Sequence, residues 1–195
     1  TVWNHTTPCA WTAACYGCRD VQFRQFKELT QGGGSDGIDI VSCRDVVIED
    51  CCLTTGDDAI VIKALDQYAD APYGSDVDNV LVQRCVLQTI SCGSALEIGH
   101  ELRTPSVRNI TFRDCDILAV HGHGAAISIR NGDRALVEHI RYEDIRIEHY
   151  YARLFDFRVI RSRYSRDIER GQIRGVLLKD IRVRQSIYNP GYSIS

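Results

Sequence analysis

Methionine is absent from the sequence, proline occurs four times and tryptophan twice. No stretch approaches about 18 consecutive apolar residues, which leaves no candidate for a membrane-crossing helix. The N-terminus lacks the basic, apolar and small-residue order of a secretory signal. Charge of one sign is not in excess either. With 23 Lys and Arg against 26 Asp and Glu, the net charge of −3 offers no footprint for nucleic acid or an anionic membrane surface, and neither partner is expected. There is no initiator methionine, and Thr1 opens in what reads as folded sequence. The expectation is a piece of a longer chain, so the missing leader carries no information on compartment. What is present, 195 residues at 44% hydrophobic and 25% charged, suits one domain over residues 1–195 with a real core.

Nine cysteines are many for this length, and their number is odd. Cys15-x-x-Cys18 has no second pair and no His at metal-ligand spacing, so a zinc site is not expected. Disulfides would be the usual use in a short secreted chain, but several of these cysteines sit inside a repeat. The pattern Asp/Asn-Val/Ile-x-hydrophobic-x-x-Cys/Ile-x-hydrophobic recurs with starts at Val21, Val46, Val80, Ile110, Ile140 and Val176, separated by 25, 34, 30, 30 and 36 residues. Apolar residues alternate inside each copy, the period of a strand. Second strands follow at Ile38–Ile40, Ala59–Ile62, Ala95–Ile98, Ala126–Ile129 and Leu154–Phe157, so each unit holds at least two.

Leucine-rich repeats use an asparagine-marked unit of about 20–29 residues, and propeller blades need four strands in a longer one. Coils near 30 residues with β-branched strands and Gly/Asp/Asn turns instead fit an all-β parallel β-helix of about six coils, each coil hydrogen-bonded to the next at about 4.8 Å. Cys51, Cys85 and Cys115 occupy one slot in successive copies, where other copies have Phe26, Ile145 and Ile181. That slot should point inward, and free cysteine serves there as a small hydrophobe. Cys18 and Cys43 share a phase in Cys-Arg-Asp-Val and should stack, bonding being the less favoured alternative.

In such a solenoid, residues far apart in sequence become neighbours along the axis. Aligning the second strands puts Asp36, before Gly37-Ile38, in the same slot as Asp58, before Ala59-Ile60, with Asp57 beside it. Three converging carboxylates provide what glycoside hydrolysis requires: a protonated carboxyl for the leaving oxygen and a carboxylate to activate water or attack the anomeric carbon. Like charges at one-coil spacing raise at least one pKa and so supply the protonated acid. The alternative is that Gly-Asp-Asp is only a turn before a strand.

Gly34-Ser-Asp-Gly-Ile-Asp39 followed by Thr55-Gly-Asp-Asp-Ala-Ile-Val-Ile-Lys63 resembles the Asn-Thr-Asp and Asp-Asp motifs of family 28 glycoside hydrolases, the polygalacturonases and their relatives, and the 21 residues from Asp36 to Asp57 match that family's spacing. The resemblance implies a right-handed parallel β-helix and an extracellular or periplasmic enzyme, monomeric when full length. It implies inverting hydrolysis of a pectin-type or related α-linked polysaccharide or oligosaccharide, without metal or other cofactor. Asp57 would be the general acid, with Asp36 and Asp58 activating water. Asp39 would be a strand residue behind them. Because family members are longer, upstream coils and an N-terminal cap should be missing, and this exact chain should be weakly soluble or stable alone.

Two further motifs depart from the family. Ser94 stands where its Gly-His-Gly motif has histidine, and Gly122-His123-Gly124 reproduces the letters one coil later. The family's Arg-Ile-Lys motif, which grips the substrate carboxylate, aligns with Ser128-Ile129-Arg130, so one of two cations is lost. Arg130 could still clasp a uronate, but Glu97 on the same strand face one coil earlier would disfavour one. Lys63, Glu97, His100, His123 and Arg130 are the candidate substrate-binding residues; a solvated face of cross-coil ion pairs, worth ~0–1 kcal/mol each, is the alternative. Trp3, Trp11, Tyr68 and Tyr73 are candidates for stacking on sugars. The competing function is a catalytically silent β-helix that binds glycans or serves as a structural solenoid. A lyase is disfavoured for want of a metal site or basic cluster.

Overall fold

The structure is a computed structural model that describes residues 10–72 and 74–184. Its strands pair in parallel throughout the described residues. Six of them, Ala13–Tyr16, Ile38–Val41, Ile60–Ala64, Leu96–Leu102, Ala125–Asn131 and Arg153–Val159, stack in chain order as a first sheet. The repeat forms a second sheet with two columns. Arg19–Arg24, Arg44–Glu49 and Val77–Gln83 make one, Lys27–Leu29, Cys52–Thr55 and Val86–Thr89 the other, and the long strands Ser106–Val120, Leu136–Ile147 and Gln172–Val183 run through both. Each coil thus carries three strand stretches, one more than the alternation pattern resolves, and the architecture is the expected parallel β-helix. Among the described residues the one helix is a 3-10 turn, Asp66–Tyr68, and no helix is long and apolar enough to cross a membrane.

The corner between the two columns of the second sheet explains the acidic and amide letters of the repeat. Gln25, Asp50, Arg84, Asp114, Asp144 and Asp180 occupy it with φ between 50° and 57°. A second set, Asp20, Asp45, Asn79, Asn109, His139 and Gly175, precedes each repeat start with φ between 55° and 62°. Left-handed backbone suits Gly, Asn and Asp and costs other residues roughly 1–2 kcal/mol. The same side chains bond along the axis: Asn79 donates to Asp45 and Asn109 to Asp78, both at 2.7 Å. Asn109→Ala should therefore lower stability by about 1–2 kcal/mol, read as a shift of the urea midpoint; an unchanged midpoint would contradict this account of the left-handed positions before each repeat start.

The inner slots stack as expected. Cys15, Ile40, Ile62, Ile98, Ile129 and Phe157 line up across the first sheet. Cys51, Cys85 and Cys115 are buried free thiols, and Cys115 continues into Ile145 and Ile181. Cys18 and Cys43 stack without bonding; the Cys18 N–H donates to Cys43 Sγ at 3.3 Å, and burial pushes the Cys43 thiol up to about 12, so it stays neutral.

Candidate active site

The turn that leads into each strand of the first sheet carries the acids. Gly37 N–H donates to the Asp58 carbonyl at 2.9 Å and Ala59 N–H to the Ser94 carbonyl at 3.0 Å, so the turns stack coil on coil and Asp36 lies across from Asp58. Packing is tight enough to require glycine at Gly93. Its φ is +80°, and a Cβ there would lie 2.2 Å from Asp58 N and 2.6 Å from Asp57 Oδ1.

One oxygen each of Asp36, Asp57 and Asp58 lies within 4.8 Å of the other two, close enough for each charge to act on the others or for all three to face one cation. Asp57 and Asp58 are half-buried and Asp36 is buried. Backbone groups aim two of them. Asp57 Oδ2 accepts from Gly34 N–H and Oδ1 from Asp58 N–H, both at 3.0 Å, and Asp58 Oδ1 accepts from Ser94 N–H at 2.6 Å. Lys63 Nζ holds the third, donating to Asp36 at 2.9 Å and to fully buried Asp39 at 2.7 Å, with its ammonium 3.6 Å from the Trp11 ring centroid.

Burial, followed by the charges of Glu97, Asp36 and Asp57, pushes Asp58 well above the ordinary carboxylate range. Burial also pushes Asp36 up, against the pull of Lys63, and takes Asp39 up to about 8. Burial alone would lower Lys63, but Asp39 and Asp36 more than offset it and hold it up. One ammonium cannot neutralise two carboxylates, so Lys63 stays charged while the Asp36–Asp39 pair keeps a raised affinity for a proton.

Beyond the aspartates, Glu97 is fully buried and neither of its oxygens meets hydrogen-bond geometry; the Ser94 and Ser128 hydroxyls are close, and its ion pair with Arg130 spans 3.7 Å. Arg130 Nε donates to Asp156 at 3.0 Å, Nη2 to the Ser94 hydroxyl at 3.3 Å, and Nη1 lies 3.4 Å from His100 Nε2. Ser94 is therefore a link between Asp58 and Arg130 rather than a substitute for histidine chemistry. His100 packs its ring 5.4 Å from that of Tyr164; burial first, then Arg130 and Arg158, hold it down to about 4, so it is neutral near pH 7. His123 is exposed on a turn two coils from Asp57, where its carbonyl accepts from Arg153 at 3.3 Å.

Of the expected site residues, Asp36, Asp57, Asp58 and Lys63 form one cluster, and Glu97, His100 and Arg130 a second that adjoins it through Asp58. His123 joins neither. Tyr68 lies 5.8 Å from Tyr16, whose ring is 6.3 Å from Trp11, giving an aromatic row beside Lys63. Trp3 and Tyr73 lie outside the described residues. Residues 11–185 match the family described as glycosyl hydrolases family 28.

The chain belongs to glycosyl hydrolase family 28.

No curated protein matches it. In this family-28 chain, sequence reasoning missed three contributors. Asp156, buried in register with Ser128, accepts from both Arg130 and Arg158; its outward place in Leu154-Phe-Asp-Phe was the available signal. Glu28 is a buried acid that burial pushes up, with Asp36 among its neighbours, in register with apolar Leu53. Tyr16, 41% exposed, extends the aromatic row and sits one residue past the Cys15 slot.

Proposed function

We propose that this family-28 chain is a glycosidase that cleaves O-glycosidic bonds of a pectin-type or related polysaccharide by carboxylate chemistry with inversion. The observation that supports it best is the approach of three carboxylate oxygens within 4.8 Å on adjacent coils. Asp58 and Asp36, both pushed up by burial, have the raised affinity for a proton that acid catalysis draws on. In the division of roles that the motifs imply, Asp57 delivers a proton to the leaving oxygen, and Asp36 and Asp58 polarise the attacking water. These proton transfers require no cofactor. The Trp11–Tyr16–Tyr68 row offers ring faces to a neighbouring sugar. An extracellular or periplasmic workplace, outside the cell where such polymers occur, is part of the same proposal.

Acid and base in inverting sites commonly stand about 6.5–9.5 Å apart, against about 5–5.5 Å in retaining ones, so the close cluster makes product stereochemistry the discriminating measurement. Incubation with a panel of pectic and neutral α-linked polysaccharides should release reducing ends from at least one. The first-formed anomer in proton NMR should have the opposite configuration to the substrate. A retained anomer would make one aspartate a nucleophile and remove the inverting assignment. Glycan binding without any reducing ends would sink the hydrolase reading in favour of a silent glycan-binding solenoid.

A further inference from the structure

The two cations nearest the aspartates are both occupied. Lys63 Nζ lies 2.9 Å from Asp36 and 2.7 Å from Asp39, and its side chain is 6% exposed. Arg130 is 11% exposed, with Asp156 at 3.0 Å, Glu97 at 3.7 Å, and the Ser94 hydroxyl and His100 ring on its remaining nitrogens. A uronate carboxylate brought over the aspartates would find neither an ammonium nor a guanidinium free to receive it. It would instead approach the carboxyl groups of Asp57, Asp58 and buried Glu97, which offer it no compensating cation, and an uncompensated carboxylate opposes binding. Arg153 and Arg158 both address Asp156, at 4.0 and 2.5 Å, and belong to a strand three coils from that of Asp58, roughly 14 Å at the strand spacing.

Glu97 is the residue that makes the difference. It is fully buried, with the Ser94 and Ser128 hydroxyls close by, one coil from Asp58 and 3.7 Å from Arg130. A buried acid needs a cation beside it, and Glu97, with Asp156 at 3.0 Å on the other side, keeps the Arg130 guanidinium turned inward. We propose, on the reading of the chain as a glycosidase, that the sugar held over Asp36, Asp57 and Asp58 is a neutral hexosyl residue rather than a uronate. Glu97 imposes that choice as a positioning residue by holding Arg130 away from substrate.

A matched pair of ligands tests this: α-1,4-linked trigalacturonate and its carboxyl-reduced counterpart, which differ only in carboxylate against hydroxymethyl and are short enough to stay near the aspartates. The parent chain should favour the neutral trisaccharide by roughly tenfold or more in kcat/KM. Glu97→Gln, which keeps the volume, and Glu97→Ser, which opens space, should each move the ratio toward the uronate by roughly tenfold. A role of Glu97 in folding alone would lower both rates and leave their ratio unmoved. Preference of the parent for trigalacturonate, or a ratio that neither variant moves, would overturn the proposal. Should no trisaccharide be cleaved, calorimetric binding of the same pair separates the two ideas. Binding with neutral preference would leave the charge selection standing while the hydrolase reading fell; uronate preference, or binding of neither, would overturn it.

Discussion

Asp57→Asn should reduce the release of reducing ends by roughly 10²–10⁴-fold, the usual contribution of a positioned acid or base, with the fold intact. Asparagine keeps one oxygen for one of the two backbone N–H groups that aim the side chain, from Gly34 and Asp58, and gives up the hydrogen bond to the other. What it removes is the exchangeable proton and one negative charge from a site where Asp57 is among the charges that raise Asp58. The sign for stability follows from that shift. Asp58 has a folded-state pKa above its unfolded value, so the folded protein binds the extra proton, and stability falls as pH rises from the ordinary carboxylate range through the raised value. Removing the Asp57 charge lessens that fall and offsets the one lost hydrogen bond, so the melting temperature near pH 7 should stay nearly level while activity falls. Turnover within about threefold of the parent would remove Asp57 from the chemistry.

Lys63→Met should have the largest effect on stability. It leaves Asp36 and Asp39 buried with no cation between them, and breaking a buried pair from one side costs about 3–5 kcal/mol. The cost depends on pH because Lys63 lowers the pKa of both carboxyls. Without it both rise further, so the variant loses most stability above their titration and recovers part of it when both are protonated. Urea unfolding near pH 9, above the Asp39 value of about 8, and about pH 4.5 reads the difference. A loss below about 1 kcal/mol near pH 9, or an equal loss at the two pH values, would mean that the ammonium is not what holds these acids in place. Adding Asp39→Asn to the variant should restore part of the loss, since one buried charge is then gone.

The fold was legible where a residue's place in the repeat determines its surroundings. Cys51, Cys85 and Cys115 share a slot, and a shared slot in a solenoid means a shared environment. The approach of Asp36 to Asp58 was legible for the same reason, because one register fixes every rung of a parallel ladder. The third strand stretch was not, because the turn at Asp50, Arg84 and Asp114 is a single left-handed residue that leaves the apolar alternation uninterrupted on either side. The burial of Glu97 and Arg130 was not legible either. Letters that look like a solvated charged face become an interior cluster once Asp156 arrives two coils after Glu97, with His100 and Tyr164 packed beside Arg130. Asp156 follows the strand register, but Tyr164 comes from the excursion between Val159 and Gln172, whose length the repeat does not fix.

The unequal repeat lengths have an evolutionary and an engineering consequence. The longest spacings, 34 and 36 residues, contain the excursions between Ala64 and Val77 and between Val159 and Gln172, while the strands on either side keep their register. The first excursion brings Tyr68 to Tyr16, and the second brings Tyr164 to His100. Each excursion is thus an appendage that can lengthen, shorten or be grafted without disturbing the strands beside the aspartate turns. On the glycosidase reading, substrate range can drift through these appendages while the aspartates keep their places.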